Sequence, residues 1–161
     1  MAQSEFALAL LREAKKAHIH TAMESCGHYP VEIMDEACRL LNRLIFDIKC
    51  LDEEKHRKFT GQDNRQILRN IRFVFEHYPD LPVLIRTPVV PGFNDTEEEI
   101  MGIRAMLPNR PNITYEALTF HRLGMPKYGY LGRKYHMADA VADEEFMRRI
   151  REKLKNFDGR R

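Results

Sequence analysis

The sequence predicts an α/β fold of about four parallel strands that alternate with helices. Four short apolar runs are candidate strands, and each follows a segment with helical periodicity; the runs lie at residues 20–23, 44–46, 83–85 and 115–120. Strands that are separated by helices pair in parallel, because right-handed crossovers return the chain to the same end of the sheet. Each run ends in charged or polar residues, and ligands bind at this carboxyl edge in α/β proteins.

Apolar residues at spacings of three and four predict the helices. The first helix covers residues from about 4 to 16, and later helices contain Ile33 to Leu41, Ile67 to Phe75, Ile100 to Leu107 and Phe146 to Phe157. The polar stretch from Asp52 to Lys58 is expected to form a short helix over the sheet edge. The segment from Gly124 to Tyr135, rich in Gly and Tyr, is expected to be a loop.

Local signals predict where some of these elements begin and end. Asp63 with Gln66, and Asp95 with Glu98, have the spacing of a capping box at a helix N-terminus. Asn94 is a second candidate for the cap of the helix at Ile100. Pro88 and the pair Pro91-Gly92 are expected to break the third strand, because proline cannot donate to a strand ladder.

Length and composition favour one domain that covers residues 1–161. Hydrophobic residues make up 43% of the chain, enough for a core, while 31% charged residues and a mean hydropathy of −0.51 indicate a polar surface. The 26 basic residues nearly balance 24 acidic ones, which gives no reason to expect a nucleic acid partner. Apolar runs are too short for a membrane span, and no secretion signal is visible. Together these features predict a cytoplasmic protein with no membrane partner.

Asp47 and Lys49 are the first candidate ligand-binding pair. Two residues apart on a strand, they leave the same face of the sheet. A carboxylate and an ammonium held side by side can bind a ligand, or they can form a structural salt bridge near a loop. Both interpretations are compatible with the spacing.

Arg86 and His121 follow the next two apolar runs. The Arg86 guanidinium, flanked by apolar residues, suits a carboxylate or stacking on a base, or it pairs with Asp47 or Glu24 in a buried cluster. A neutral His121 can donate to a ribose or a base, or act as an acid or base. The alternative is an ordinary histidine whose hydrogen bonds are satisfied within the core.

The cysteines do not predict a metal site. Cys26, Cys38 and Cys50 recur every twelve residues, and an odd number of thiols fits a reducing compartment. Cys38 has the helical phase of a core residue, whereas Cys26 and Cys50 both follow strand ends and could approach each other. Two thiols without a third ligand make a weak site, and no pair of histidines has a metal-binding spacing.

Taken in order, these segments resemble the radical S-adenosylmethionine enzymes that activate glycyl radical enzymes, of which the pyruvate formate-lyase activating enzyme is a familiar member. The segment from Ile19-His20-Thr21 through Glu24-Ser25-Cys26-Gly27 is similar to the family's strand ending in Asp-Thr-Asn-Gly or Glu-Thr-Ser-Gly. Phe46-Asp47-Ile48-Lys49 is similar to its Asp-x-Lys strand. The segment from Arg86 to Asp95 is close to Arg-x-Pro-(Val/Ile)-(Ile/Val)-Pro-Gly-x-Asn-Asp. The segment from Leu118 to Gly124 resembles the final strand and its tail, and the likeness covers essentially the whole chain.

The resemblance implies a partial, incomplete TIM-like barrel and a site for S-adenosylmethionine. It implies that Asp47 and Lys49 contact the cofactor, that Glu24 and Ser25 line its methionine end or a nearby cation position, and that Arg86 and His121 hold the ribose or adenine side. In the family, a [4Fe-4S] cluster delivers one electron to the sulfonium, and the resulting 5′-deoxyadenosyl radical takes hydrogen from a glycine of the partner enzyme.

Two features of the family are absent from this sequence. Cluster ligation needs the closely spaced thiolates of Cys-x-x-x-Cys-x-x-Cys, and neither that triplet nor Gly-Gly-Glu-Pro is present. The chain also starts on a predicted helix, and four strands are few for a closed barrel. We therefore expect a C-terminal portion of an activating enzyme that lacks cluster ligands, has no catalytic residue of its own and is inactive alone.

Other interpretations stay open at this point. A non-catalytic α/β module could bind a nucleotide or a peptide at the same polar edge. An aldolase-like half barrel could use Lys49 as a Schiff base, which requires a neutral amine. An unpaired parallel edge favours association, so a homodimer through the exposed sheet edge is a further expectation.

Overall fold

The computed structural model describes residues 1–158, which form a four-stranded sheet and seven helices. The strands are β1 Ala22–Ser25, β2 Arg43–Asp47, β3 Val83–Val89 and β4 Ile113–Thr119. The helices are α1 Ser4–Lys16, α2 Val31–Leu40, α3 Glu53–Thr60, α4 Arg65–His77, α5 Glu97–Met106, α6 Met125–Tyr130 and α7 Glu144–Asp158. The predicted alternation of helices and strands is confirmed.

The four strands are parallel and lie in the order of the sequence. Neighbouring strands pair β1 with β2, β2 with β3 and β3 with β4. Within residues 1–158, β1 and β4 each have one strand neighbour, so the sheet does not close on itself. This arrangement confirms the prediction of an incomplete barrel.

Helices cover one face of the sheet and leave the other open. Side chains alternate between faces along a strand, and on β3 the buried residues are Val83, Ile85, Thr87 and Val89. The main core packs residues of β2 and β3 against α2, α4 and α5, and a second cluster packs α7 against the ends of β3 and β4. Burying each large apolar side chain contributes about 1.5–3 kcal/mol. The charged residues of β2 and β3 lie on the open face and stay partly accessible.

The capping-box predictions are wrong in detail. The α5 cap is Thr96, whose hydroxyl accepts a hydrogen bond from the Glu99 amide at 3.4 Å. Asp95 instead accepts from the Gly92 amide at 3.0 Å. The reason is that the tight Pro-Gly turn draws Asp95 back towards its own loop, so the cap moves one residue along the chain.

The other predicted box, at Asp63, also takes a different form. α4 begins after Asn64, and Asp63 accepts from the Arg65 amide at 3.1 Å as a local turn. The Gln66 side chain donates to Asn70 at 3.0 Å and does not reach back to the cap. The Arg65 side chain donates a second hydrogen bond to Asp63, at 3.0 Å. This bond favours the local turn instead of a capping box.

The third strand does not break at Pro88. β3 continues to Val89, with Pro88 registered beside Leu118 of β4. The Arg86 carbonyl accepts from the Ile48 amide on the β2 side, so the nitrogen of Pro88, two residues later, faces that side also. Since β2 ends at Asp47, the missing N–H of Pro88 interrupts no ladder bond there.

The predicted loop from Gly124 to Tyr135 contains a short helix, α6. Pro126 lies near its start, where proline is tolerated because the N–H has no helical partner. The Leu131 amide closes the last turn on the Lys127 carbonyl at 3.2 Å. None of the helices within residues 1–158 has the length and apolarity to cross a membrane.

Candidate functional site

Arg86 lies between two carboxylates on the open face of the sheet. Its Nη1 is 3.2 Å from Glu24 Oε2 on β1, and its Nε is 3.3 Å from Glu116 Oε2 on β4. Three separate strands therefore bring these charges together. Of the alternatives for Arg86, the structure has the cluster with Glu24, but the cluster is accessible and not buried, with the Arg86 side chain 27% exposed.

Asp47 and Lys49 form an ion pair beside this arginine. Lys49 Nζ donates to Asp47 Oδ2 at 3.1 Å, and Asp47 is registered next to Arg86 in the sheet. The Lys49 nitrogen is thus a hydrogen-bond donor to a carboxylate, whereas a Schiff base requires an amine that is free to attack a carbonyl. The aldolase-like interpretation therefore has no support in the geometry.

The open face thus carries three carboxylates and two cations near the carboxyl edge. The side chains of Asp47, Lys49 and Arg86 are 21%, 34% and 27% exposed. Ion pairs accessible to water contribute about 0–1 kcal/mol each. Because they add so little to stability, the cluster is better suited to exchange its partners for those of a charged ligand.

A pocket of about 260 Å³ adjoins the Asp47–Lys49 pair. It lies between the segments that follow β1 and β2, beneath α3, and Cys26, His28 and His56 contribute to its lining. His56 is buried, and its Nδ1 is 2.7 Å from the Gln62 carbonyl oxygen. A carbonyl can only accept, so Nδ1 carries the proton and a neutral ring keeps Nε2 as an acceptor.

Ser25 and His121 do not join the charge cluster. Ser25 is registered with Phe46 on the helix-covered face, and its hydroxyl accepts from the Gly27 amide at 3.0 Å. His121 is exposed beyond the end of β4. No hydrogen bond or ion pair described within residues 1–158 joins His121 to Glu24 or Arg86.

Sequence reasoning missed Glu116 as the second partner of Arg86. The signal was available: Tyr115, Glu116 and Ala117 alternate on a strand, which puts Glu116 on the face opposite the core. Sequence reasoning also did not assign His56 to the site. Its place in the pocket depends on how α3 packs over the strand ends, which the sequence does not reveal.

The three cysteines lie in different environments. Cys38 is buried in α2, and burial raises the pKa of its thiol to about 12, which fits the predicted core role. Cys50 is buried, with its pKa also raised by burial, whereas Cys26 is exposed. Among residues 1–158, no three His, Cys, Asp or Glu side chains come together as metal ligands.

Comparison with curated proteins finds relatives that share one kind of activity in their names. The (2S)-3-sulfopropanediol sulfolyase activating enzyme of Bilophila wadsworthia is 65% identical over 158 residues, which are 98% of this chain and 52% of that protein. The isethionate sulfite-lyase activating enzyme of Oleidesulfovibrio alaskensis is 48% identical over 91% of this chain and 47% of that protein. The chain spans about half the length of the curated relatives it matches.

Comparison with solved structures agrees. A domain of the pyruvate-formate lyase-activating enzyme from Bacteroides vulgatus superposes with a TM-score of 0.73 at 25% identity, over 97% of this chain and 88% of that domain. Coproporphyrinogen III oxidase of Escherichia coli, a radical SAM enzyme, shares the fold with a TM-score of 0.58 at 16% identity, over 96% of this chain and 36% of that one.

No family model matches the chain. The relatives do not favour the interpretation as a non-catalytic binding module, because they are named as activating enzymes. Sequence and fold comparisons thus support the same group of proteins. The chain is a homologue, over nearly its whole length, of the activating enzymes of glycyl radical enzymes, and it has the fold of radical S-adenosylmethionine enzymes.

Proposed function

We propose that this chain is the C-terminal portion of an activating enzyme and that its open sheet face binds S-adenosylmethionine. The observation that carries the proposal is the convergence of Glu24, Asp47, Lys49 and Arg86 from three parallel strands. Ser25 and His121 lie outside this cluster at the same edge of the sheet, and we propose them as further contacts on the family resemblance alone. The names of the curated relatives support the proposal of an activating enzyme.

The chemistry of these side chains fits the amino-acid end and the ribose of the cofactor. Lys49 and Arg86 would bind its carboxylate, since both offer charged donors. Glu24 and Asp47 would accept hydrogen bonds from its ammonium group or from the ribose hydroxyls. With Glu116 the cluster has three carboxylates and two cations, whereas S-adenosylmethionine has one carboxylate and two cationic groups, its ammonium and its sulfonium. The ligand can therefore replace internal ion pairs without leaving a charge unpaired.

The chain's own residues do not fit a [4Fe-4S] cluster. A cluster takes several thiolates at one place, whereas two of these cysteines are buried and the third, Cys26, is exposed. The thiolates would have to come from another segment or another protein. In the proposed complete enzyme, the bound cofactor supplies the radical chemistry, and the residues of this chain bind and orient it.

The proposed partner is a glycyl radical enzyme that resembles a sulfolyase or a sulfite-lyase. Relatives at 65% and 48% identity are named for activating those two lyases. A choline trimethylamine-lyase activating enzyme is more distant, at 30% identity. The difference in identity favours the sulfonate lyases.

A chimeric enzyme tests the proposal. This chain would replace the matching half of the B. wadsworthia activating enzyme, and 5′-deoxyadenosine would be measured after cluster reconstitution and reduction. We expect production by the chimera and none by this chain alone. A chimera that folds and holds its cluster but makes no 5′-deoxyadenosine would contradict the proposal, as would steady production by the chain alone.

Two arginine variants of the chimera separate binding from stability. Arg86→Met removes the bridge between Glu24 and Glu116, and we expect at least a tenfold weaker affinity for S-adenosylmethionine. Arg57→Met is the matched control, because Arg57 also lies between two carboxylates, at 2.7 Å from Glu53 and 3.3 Å from Asp63, but on α3. Both variants should melt near the wild-type temperature, since accessible pairs contribute about 0–1 kcal/mol. Equal affinity in the two variants would refute the role of Arg86.

A further inference from the structure

Three buried asparagines hold the backbone just beyond the strand ends. Asn64, Asn70 and Asn94 are at most 2% exposed. Each side-chain amide donates to two backbone carbonyl oxygens. Five of these six carbonyls lie in the segments that follow β1 or β2, and the sixth, that of Pro88, lies at the end of β3. Such residues are rarely buried, so a shared arrangement in three of them requires a physical reason.

Asn94 connects the segment after β2 with the end of β3. Its Nδ2 donates to the Lys49 carbonyl at 2.6 Å and to the Pro88 carbonyl at 2.9 Å. Its Oδ1 accepts from the Val90 amide at 2.6 Å. One side chain therefore fixes the backbone of Lys49 relative to the strand that carries Arg86.

Hydrogen bonds from buried side chains to backbone carbonyls extend along residues 48–51, just after β2. The Thr87 hydroxyl donates to the Ile48 carbonyl at 2.7 Å. Asn64 donates to the carbonyls of Cys50 and Leu51 at 2.8 and 2.9 Å. Four successive carbonyls, from residues 48 to 51, thus receive a hydrogen bond from a buried side chain.

These bonds replace a strand ladder that has ended. The register of β2 with β3 stops at Asp47 and Arg86, so the carbonyls beyond it have lost their regular partners. Leaving a buried carbonyl without a hydrogen bond costs about 1–3 kcal/mol. The side-chain donors therefore restrict this segment to one conformation, and the direction of the Lys49 side chain follows from it.

Asn112 makes the same kind of bridge away from the site. Its Nδ2 donates to the carbonyls of Pro79 and Leu81 at 2.9 and 2.8 Å, in the segment that leads into β3. This is the amino edge of the sheet, opposite the charge cluster. Asn112 stabilises a connection without touching any segment that carries a candidate binding residue.

We propose that Asn94, together with Thr87 and Asn64, positions Lys49 for ligand binding. The inference rests on the proposed function, because the ligand is the one assigned to the charge cluster. These residues act through the backbone of Lys49 and do not contact the ligand themselves. Their loss should therefore weaken ligand binding, which the loss of a similar bridge elsewhere in the fold should not do.

Asn94→Asp tests the inference with Asn112→Asp as its control. Each change keeps the shape of the side chain and replaces its two N–H donors with an acceptor. For both variants of this chain, we would measure the melting temperature, the affinity for S-adenosylmethionine by calorimetry and hydrogen exchange of the amides of residues 48–51. We expect Asn94→Asp to weaken binding about tenfold or more and to speed exchange, and Asn112→Asp to change affinity less than about twofold.

Each outcome decides the inference. Wild-type affinity in Asn94→Asp, or an equal loss in Asn112→Asp, would overturn it. If the unmodified chain binds no S-adenosylmethionine at millimolar concentration, the proposed function fails, and the positioning role is then decided by exchange: unchanged exchange at residues 48–51 in Asn94→Asp refutes it. If Asn94→Asp does not fold, Thr87→Val takes its place and is judged by the same measurements. It removes the donor to the Ile48 carbonyl and also the hydroxyl that accepts from Tyr115 at 3.0 Å.

Discussion

Replacing Gly27 with alanine should place a methyl group against the ring of Phe46. Gly27 has a φ of +69°, a conformation that favours glycine. An added Cβ would lie 2.3 Å from Phe46 Cζ and 2.4 Å from Phe46 Cε2. Phe46 is fully buried in the core, and because cores are densely packed the ring can move only by displacing its neighbours.

Two costs add up at this position. The left-handed backbone costs an alanine about 1–2 kcal/mol, and overpacking a dense core costs about 1–3 kcal/mol more. We therefore expect Gly27→Ala to lower the free energy of unfolding by about 2–5 kcal/mol. Gly61→Ala is the matched control, because Gly61 has a φ of +81° but nothing within 4 Å of an added Cβ.

Urea unfolding of the two variants measures the difference. Gly61→Ala should lower the free energy of unfolding only by the cost of the left-handed backbone, about 1–2 kcal/mol. The further loss in Gly27→Ala reports the contact with Phe46. Equal free energies of unfolding in the two variants would refute the reasoning.

Two further predictions concern thiols and acid stability. At pH 8 the folded chain should show one thiol that reacts rapidly with a disulfide reagent, Cys26, because burial raises the pKa of Cys38 and Cys50; a fast phase that persists in Cys26→Ser contradicts this. The hydrogen bond from Arg65 lowers the pKa of Asp63 from 3.8 to about 2. Its contribution to stability is present above the unfolded pKa and is lost as pH falls through about 2, so Asp63→Asn should flatten the acid unfolding profile between about pH 4 and pH 2, and an unchanged profile would argue against it.

Periodicity predicted the elements of the fold because it reflects local geometry. The apolar run at Leu44 to Phe46 and the helical spacing from Ile67 to Phe75 each correspond to an element of the structure. The errors fall at element ends, where several local partners compete. Thr96 replaced Asp95 as a cap because the adjoining turn had its own amide at Gly92 to satisfy.

The candidate site was predicted in part. Asp47 and Lys49 follow a strand closely enough for their shared face to be read from spacing, and the structure pairs them. Glu116 could have been found from alternation along β4. The roles of the buried asparagines could not, because their carbonyl partners are distant in the sequence and carry no side-chain signal.

The sequence by itself determined the four strands and every helix except α6, the parallel direction of the strands, and which polar residues stand at the strand ends. Helix and strand patterns depend on residues only a few positions apart. The parallel direction of the strands follows from the helical connections between them. Tertiary structure alone decided that Arg86 pairs with Glu24, 62 residues away, and that Asn94 holds the Lys49 carbonyl, 45 residues away. Such contacts depend on the register between strands and on how α3 and the loops pack over the sheet edge, because only folding brings those backbone groups within hydrogen-bonding distance.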